Sequence, residues 1–407
     1  MKKLKHLLTV LIVSSVGSHF ASAQWVHQNS GTSDFLYDVF FPTKDTGYVN
    51  SINNELLLKT TNGGTTWNVI DSLTGIVSLY FTSKDTGYAT TNTSIMKTTN
   101  GGNSWTTQYG NSNLDMGVIH FSDKNTGYTT GSSNNDDTLY FIKTINAGSS
   151  WNIVSWVTGS FIIPMISISF VSRDTGFFVG NTFQIYRTVD GCASVNSVFS
   201  SAALIESIHF PTKDTGYATG YPDAVIKTVN RGNTWNILPS LGNSEYYMDV
   251  FFTTKDTGFI TASAGSLSYG KILYTANGGN TWTTQITDTS LNAIYFPSHT
   301  VGYAIGTNGT ILKYNGVIGI DENENAQALL TTYPNPANKF VVISSEFGDK
   351  KTEIEIFDVL GNKVLNEQLS TNNYQLTIDV SSLSEGIYFL CIKNKEKVFS
   401  QKIIISR

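Results

Sequence analysis

The chain has 407 residues, 14% of them charged, and a net charge of −5. That length exceeds one small domain, and the abundance of Thr, Ser, Asn, Gly and aromatics suits strands and tight turns rather than helices. No basic cluster lies beyond the N-terminus, which argues against a nucleic-acid partner, and two cysteines cannot build a disulfide framework.

The first residues read as a targeting signal. Lys2, Lys3, Lys5 and His6 precede an apolar run from Leu7 to Val16, and Ala21-Ser22-Ala23 supplies the small residues of a cleavage site. The apolar run is too short to anchor in a bilayer, so residues 1–23 are expected to be removed as a signal peptide. No other segment is apolar enough to cross a membrane.

From residue 24 to 316 the chain repeats. The string KDTGY or a close variant places a glycine at Gly47, Gly87, Gly127, Gly176, Gly216, Gly258 and Gly302, at spacings of 40, 40, 49, 40, 42 and 44. A second string, KTTNGGTTW and its variants, ends on Trp67, Trp105, Trp151, Trp235 and Trp282. The fourth copy is worn, with Cys192 for Gly and Val195 for Trp. In the first unit the predicted strands are 36–41, 48–52, 56–60 and 67–70, called A to D from the inside out. The turns between them need Asn and Asp, which bond their own backbone, and Gly, which tolerates positive φ. Four antiparallel strands at this period are the pattern of propeller blades. The tryptophans are expected to be core, and Cys192 to fill a small gap in the worn blade.

The seventh unit supplies three strands and stops before its NGG-Trp turn. Its missing fourth strand lies at the other end of the chain, as Trp25-Val26-His27-Gln28. The step from Trp to the next turn glycine is 20, 22, 25, 23 and 20 within the repeats, and Trp25 to Gly47 is 22. The prediction is an all-β, seven-bladed β-propeller closed by its N-terminal strand, which removes exposed edges.

The TxNxGxTW pattern resembles the Asp-box (BNR) repeat of sialidase-like propellers, with Asn for Asp. The whole unit is similar to the photosystem II assembly factor propellers. That resemblance covers residues 24 to about 316 and implies a fold rather than an activity.

Residues 317–332, with the acidic run Asp321–Asn325, read as a linker. Residues 333–407 then carry YPNP (333–336), EIEIFDVLGNKVL (353–365), LTIDVSSLSEGIYFLCI (376–392) and a last QKIIIS. Alternation in EIEIF and GIYFL gives strands buried on one face, so a small β-sandwich is expected. The order of these segments resembles the type A sorting domain of type IX secretion. That resemblance implies passage through the periplasm to the cell exterior or the outer-membrane surface, with the secretion machinery as partner of this domain.

Several chemistries are weighed against turn structure. The DTG triplet of aspartic proteases occurs at Asp45, Asp85, Asp174, Asp214 and Asp256, each after Lys or Arg in a surface turn. A protease needs two apolar copies, not five charged ones. The Asp-box resemblance brings sialidases and other glycoside hydrolases into view. These clamp a carboxylate with three arginines, but Arg173, Arg187 and Arg231 all occupy repeat positions on turns or outer strands. Paired carboxylates for acid–base work do not stand out from the repeat. His120 and His209 share one strand A position, His299 replaces a turn Lys, and no two ligands have metal spacing. Asp136-Asp137 in the Ser132–Thr138 loop reads as solvated polar loop.

The reading is therefore an exported binding or scaffold module for an extracellular protein or glycan. No catalytic residue, cofactor or metal is assigned. The alternatives are an extracellular carbohydrate-active hydrolase or lyase, and an envelope assembly factor. Repetition of the KDTG and NGG turns assigns one face to folding. The opposite face, carrying the D-to-A crossings and B-to-C loops, holds the residues that break the repeat. These are Trp156 and Phe161, Tyr221 and Asp223, Tyr246 and Tyr247, and Tyr269. Aromatic rings with polar tips dominate binding surfaces.

Overall fold

Strand-forming sequence between turn residues produces one four-stranded sheet per repeat. In blade 1 the strands Leu36–Phe40, Gly47–Ser51, Leu57–Thr60 and Asn68–Val69 pair in that order, all antiparallel. The computed structural model describes residues 24–70, 73–133, 135, 137–158, 165–180, 182–239, 241, 245–263, 269–316, 331–344, 352–358, 362–369, 375–393 and 398–407. The predicted signal peptide, residues 317–330 of the predicted linker, Asp136 and Phe161 lie outside them. The described residues divide into two compact units, separated between 317 and 318.

The first unit carries seven blades. Blade 1 spans 36–69, blade 2 76–110 and blade 3 114–158, while blade 6 spans 246–287. Blades 4 and 5 share one continuous strand, Asn196–His209, which is outermost in the first and innermost in the second. Blade 7 takes its three strands from 291–315 and its fourth from Gln24–Gln28. That N-terminal strand runs antiparallel to Ile311–Asn315, with Trp25 opposite Tyr314. Trp25 is 6% exposed, its ring set edge-on to Phe259 and Phe296 at 6.0 Å each. The ring closes in the predicted register.

Each Asn-containing turn is built alike. Thr60 Oγ1 donates to Asn62 Oδ1 at 3.0 Å and accepts the Gly64 N–H at 2.9 Å, while Asn62 Oδ1 accepts the Thr66 N–H at 2.9 Å. Gly63 N–H then reaches the Asp45 carbonyl at 2.8 Å, which puts the NGG and KDTG turns of a blade on one face. Gly63 and Gly64 do take positive φ, at 63° and 81°. The KDTG glycines do not; they are glycines because a phenylalanine ring lies against each of them. Cys192 replaces the second glycine of the worn turn with φ of 68° and packs its buried side chain in the core of Tyr128, Phe141 and Phe178.

Repeated Tyr and Lys join neighbouring blades. Tyr48 hydroxyl and Lys59 Nζ both donate to the Gly101 carbonyl of the next NGG turn, at 3.1 and 2.7 Å. Tyr303 and Lys313 do the same to Gly63, both at 2.8 Å, so blade 7 grips blade 1. In the worn blade Phe177 and Arg187 stand in their place, and Arg187 instead donates to Asn233 Oδ1 at 2.7 Å.

The second unit is a sandwich. Thr331–Tyr333, Phe340–Ser344 and Gln375–Asp379 form one sheet. Lys363–Leu369, Thr352–Phe357, Gly386–Lys393 and Val398–Ile405 form the other. Val341, Ile343 and Ile378 of the first share a core with Ile354, Ile356, Leu390 and Ile403 of the second.

Candidate functional site

The innermost strands surround the propeller axis, and a local irregularity decides what they present to it. Register shifts fall between Leu36 and Asp38, Ile76 and Ser78, Ile205 and Ser207, Tyr247 and Asp249, and Leu291 and Ala293. Such bulges re-aim a side chain and free backbone groups from the ladder. Freed N–H groups need partners, and the preceding blade supplies them. Leu79 N–H donates to Asp38 Oδ2 at 3.1 Å, Ile208 N–H to Ser167 Oγ at 3.1 Å and Ile294 N–H to Asp249 Oδ2 at 2.8 Å.

This arrangement leaves carboxylates half-buried on the inner strands. Burial pushes Asp38 above the ordinary carboxylate range, and pushes Asp249 up to about 6 with a smaller contribution from Asp38. Glu206, on the bulged part of its strand, is also raised by burial. Tyr37 is raised by burial first, then by Asp38 and Glu206. An acid near 6 has the proton affinity for general acid–base work. Both oxygens of Asp249 are engaged, however. Oδ1 accepts from Ser207 Oγ at 2.6 Å and Val250 N–H at 2.9 Å, and Oδ2 takes the Ile294 N–H. Asp38 likewise takes Val39 N–H at 2.8 Å besides Leu79. Counting back nine residues from each turn glycine shows Asp38 and Asp249 where other blades carry Ser, Val or Ala. The expectation that no carboxylate pair stands out from the repeat is corrected by that alignment.

The histidines are packing groups. His120 lies edge-on to Tyr80 at 5.1 Å and stacks on Phe170 at 5.6 Å; His209 stacks on Phe251 at 4.3 Å and accepts the Phe252 N–H at 3.2 Å. Burial pushes both imidazoles down to about 4. Among the described residues no three His, Cys, Asp or Glu side chains form a metal-ligand group. Arg231 is paired at 2.6 Å with Asp214 of the KDTG turn of the same blade, and Arg187 is bonded to Asn233, so the two are not joined in a carboxylate clamp.

On the face opposite the KDTG turns, part of the predicted surface assembles. Tyr221 and Tyr246 stack at 3.9 Å with an interplanar angle of 13°. Asp223 N–H donates to the Glu245 carbonyl at 2.8 Å, and Glu245 forms an ion pair with Lys271. Tyr246 is 37% and Tyr269 41% exposed, and Tyr269 is two residues before Lys271. Two assignments need correcting. Tyr247 is fully buried beside Tyr217, Val250 and Phe252, and Asp223 is buried too, so neither presents a surface. The bulge after Tyr247 shifts its strand out of simple alternation, so Tyr247 points inward. Trp156 is 64% exposed but belongs to the outer strand Asn152–Thr158 of blade 3, opposite Tyr140, and does not join the Tyr221–Tyr246 corner.

The secretion system C-terminal sorting domain family matches residues 331–406. No curated protein matches the chain. Among solved structures, YCF48 bound to D1 peptide superposes with a TM-score of 0.59 at 17% identity, covering 72% of this chain and 97% of that one. YCF48 from Cyanidioschyzon merolae gives 0.58 at 18% identity, covering 72% and 99%. The GH74 enzyme of Niastella koreensis gives 0.57 at 13% identity, covering 94% and 74%. These likenesses establish the propeller fold. The protein is thus a β-propeller carrying a type IX sorting domain, which directs it to the cell exterior or the outer-membrane surface. Among the described residues no helix is long and apolar enough to cross a membrane.

Proposed function

We propose that the exported propeller is a binding or scaffold module for an extracellular protein or glycan, without hydrolytic activity of its own. The observation that carries this reading is the use made of Asp38 and Asp249. Their oxygens hold backbone N–H groups of neighbouring blades, so both carboxyls are committed to joining the blades rather than to a substrate. On this reading the ligand meets the face that carries the Tyr221–Tyr246 stack, the Glu245–Lys271 pair and the exposed Tyr269. Peptide binding by a propeller of this fold has a parallel in YCF48 bound to D1 peptide.

The hydrolase alternative rests on Glu206, an inner-strand carboxyl whose proton is held more tightly than usual. The GH74 neighbour is an enzyme of the same fold. An envelope assembly role agrees less well with a domain that directs export past the periplasm. The mature protein should be assayed on sialosides, xyloglucan and peptides, and screened on a glycan array and in pull-downs from cell-surface extracts. Saturable binding weakened by Tyr246→Ala, with no turnover, is the expected result. Turnover abolished by Glu206→Gln would replace this reading with the hydrolase.

A further inference from the structure

The charges of the propeller are sorted by face. Of the fourteen Lys and Arg residues between 24 and 316, thirteen occupy positions of the KDTG, KTT and NGG strings. Those of the KTT strings reach toward the same face: Lys59, Lys97 and Lys227 donate to turn carbonyls of the next blade at 2.7, 2.7 and 2.8 Å. Seven Asp residues of these turns are interspersed with them.

The opposite face has the reverse balance. Together with the inner strands it holds ten carboxyl groups among the described residues, and Lys271 is its one Lys or Arg. That lysine is already ion-paired with Glu245. Glu55 and Asp137 in B-to-C turns, Asp115 at the start of an inner strand and Asp288 in the crossing before blade 7 are all exposed. Asp288 meets His27 at 3.4 Å, with both side chains mostly in solvent. Further in, the Tyr37 hydroxyl of blade 1 is raised by burial, then by Asp38 and by Glu206 of blade 5. Blades 1 and 5 are not neighbours, so that influence crosses the axis and sets Glu206 and Tyr37 around it.

Carboxylates of one sign over low-dielectric walls focus a negative field into solvent. Such a face repels acidic partners, selects cationic ones and speeds their encounter. The aromatic residues on it fit the same partner. Tyr221 and Tyr246 stack beside Glu245, and Tyr246 and Tyr269 are exposed, so a cation can meet a ring within the acidic field. A planar guanidinium stacks on such a ring better than an ammonium does.

We propose that the face opposite the KDTG turns docks a basic, arginine-bearing segment of an extracellular protein, held by the exposed carboxylates and by the Tyr221–Tyr246 stack. This inference rests on the reading of the propeller as a binding module and names the chemistry of its partner.

The test titrates the mature protein by calorimetry with capped (Gly-Arg)4, (Gly-Lys)4 and (Gly-Glu)4 peptides at 50 and 300 mM salt. Saturable binding of both basic peptides, weakened about tenfold at the higher salt, is expected, with none of the acidic one. The arginine peptide should bind about threefold tighter than the lysine peptide, a preference that Tyr246→Ala should erase. One variant combines Glu55→Gln, Asp115→Asn, Asp137→Asn and Asp288→Asn, all exposed positions, and should lose about tenfold in affinity with an unchanged melting curve. A control combining Asp45→Asn, Asp85→Asn, Asp174→Asn and Asp256→Asn alters net charge equally on the KDTG face and should lose less than about twofold. Equal loss in both variants, or affinity indifferent to salt, overturns the proposal. A neutral glycan found as partner that binds the first variant normally also overturns it, while leaving the binding reading intact. Absence of binding by the peptides and by every array or pull-down partner defeats both.

Discussion

Phe41 rests its ring directly on the α-carbon of Gly47: a Cβ at that glycine would lie 2.3 Å from the ring. The other face of Phe41 is closed by Tyr303 of blade 7, stacked at 3.8 Å and 10°, with Trp67 edge-on at 5.9 Å. The ring therefore has nowhere to retreat. Every blade repeats the contact, through Phe81 on Gly87 and on to Phe296 on Gly302.

Gly47→Ala should accordingly lower stability by about 1–3 kcal/mol, the usual cost of overpacking. Gly110→Ala serves as control, since its added methyl would meet only Ser94 Oγ at an ordinary 3.6 Å. Urea unfolding of the two variants should separate them; equal midpoints would refute the contact as the reason for the glycine.

Ring closure makes a five-residue strand matter out of proportion to its length. Trp25 contacts Phe259, Phe296 and Tyr314 from two blades. Trp25→Ala should cost about 3–5 kcal/mol, as for other buried large aromatics. Deleting residues 24–30 should also expose the Ile311–Asn315 edge and promote aggregation. An unchanged melting curve for the deletion would contradict closure.

The blade count and the closing strand were legible because each is carried by spacing along the chain, as in the step from Trp25 to Gly47. The sandwich strands were legible from alternation in EIEIF and GIYFL. The inner surface was not. A single extra residue per inner strand reverses which side chains face the axis. YYMDVFF therefore does not reveal that Tyr246 is exposed and Tyr247 buried. The Tyr48–Lys59–Gly101 contact escapes for another reason: its partners are in different repeats, and repetition alone does not tell a turn requirement from a contact between blades.

Sorting should depend on the C-terminal unit as a folded sandwich. A variant lacking residues 331–407 is expected to remain in the periplasm of a host with type IX secretion. Cell fractionation with immunoblotting reads this directly. Normal extracellular levels of that variant would refute the role of the domain in this chain.

Acid stability should expose the buried groups of the inner strands with opposite signs. His120 has its imidazole pushed from 6.5 down to about 4 by burial. The folded state then binds fewer protons than the unfolded one between those values. Its contribution is fully present above pH 6.5 and is lost as pH falls toward 4. At about 1.4 kcal/mol per pH unit, the loss is on the order of 3 kcal/mol. Asp249 behaves inversely. Its carboxyl is pushed from 3.8 up to about 6, so the folded state holds the proton more tightly and loses stability as pH rises through that window. His120→Phe keeps the ring contacts with Tyr80 and Phe170 and removes the titration, so its stability should fall less on acidification than the parent's. Asp249→Asn removes the opposing term and should fall more steeply, beside a constant cost for the altered Ile294 hydrogen bond. Urea midpoints of parent and both variants at pH 4, 5, 6 and 7 decide the matter. Parallel pH profiles for all three would show that neither group titrates in the fold as its burial requires.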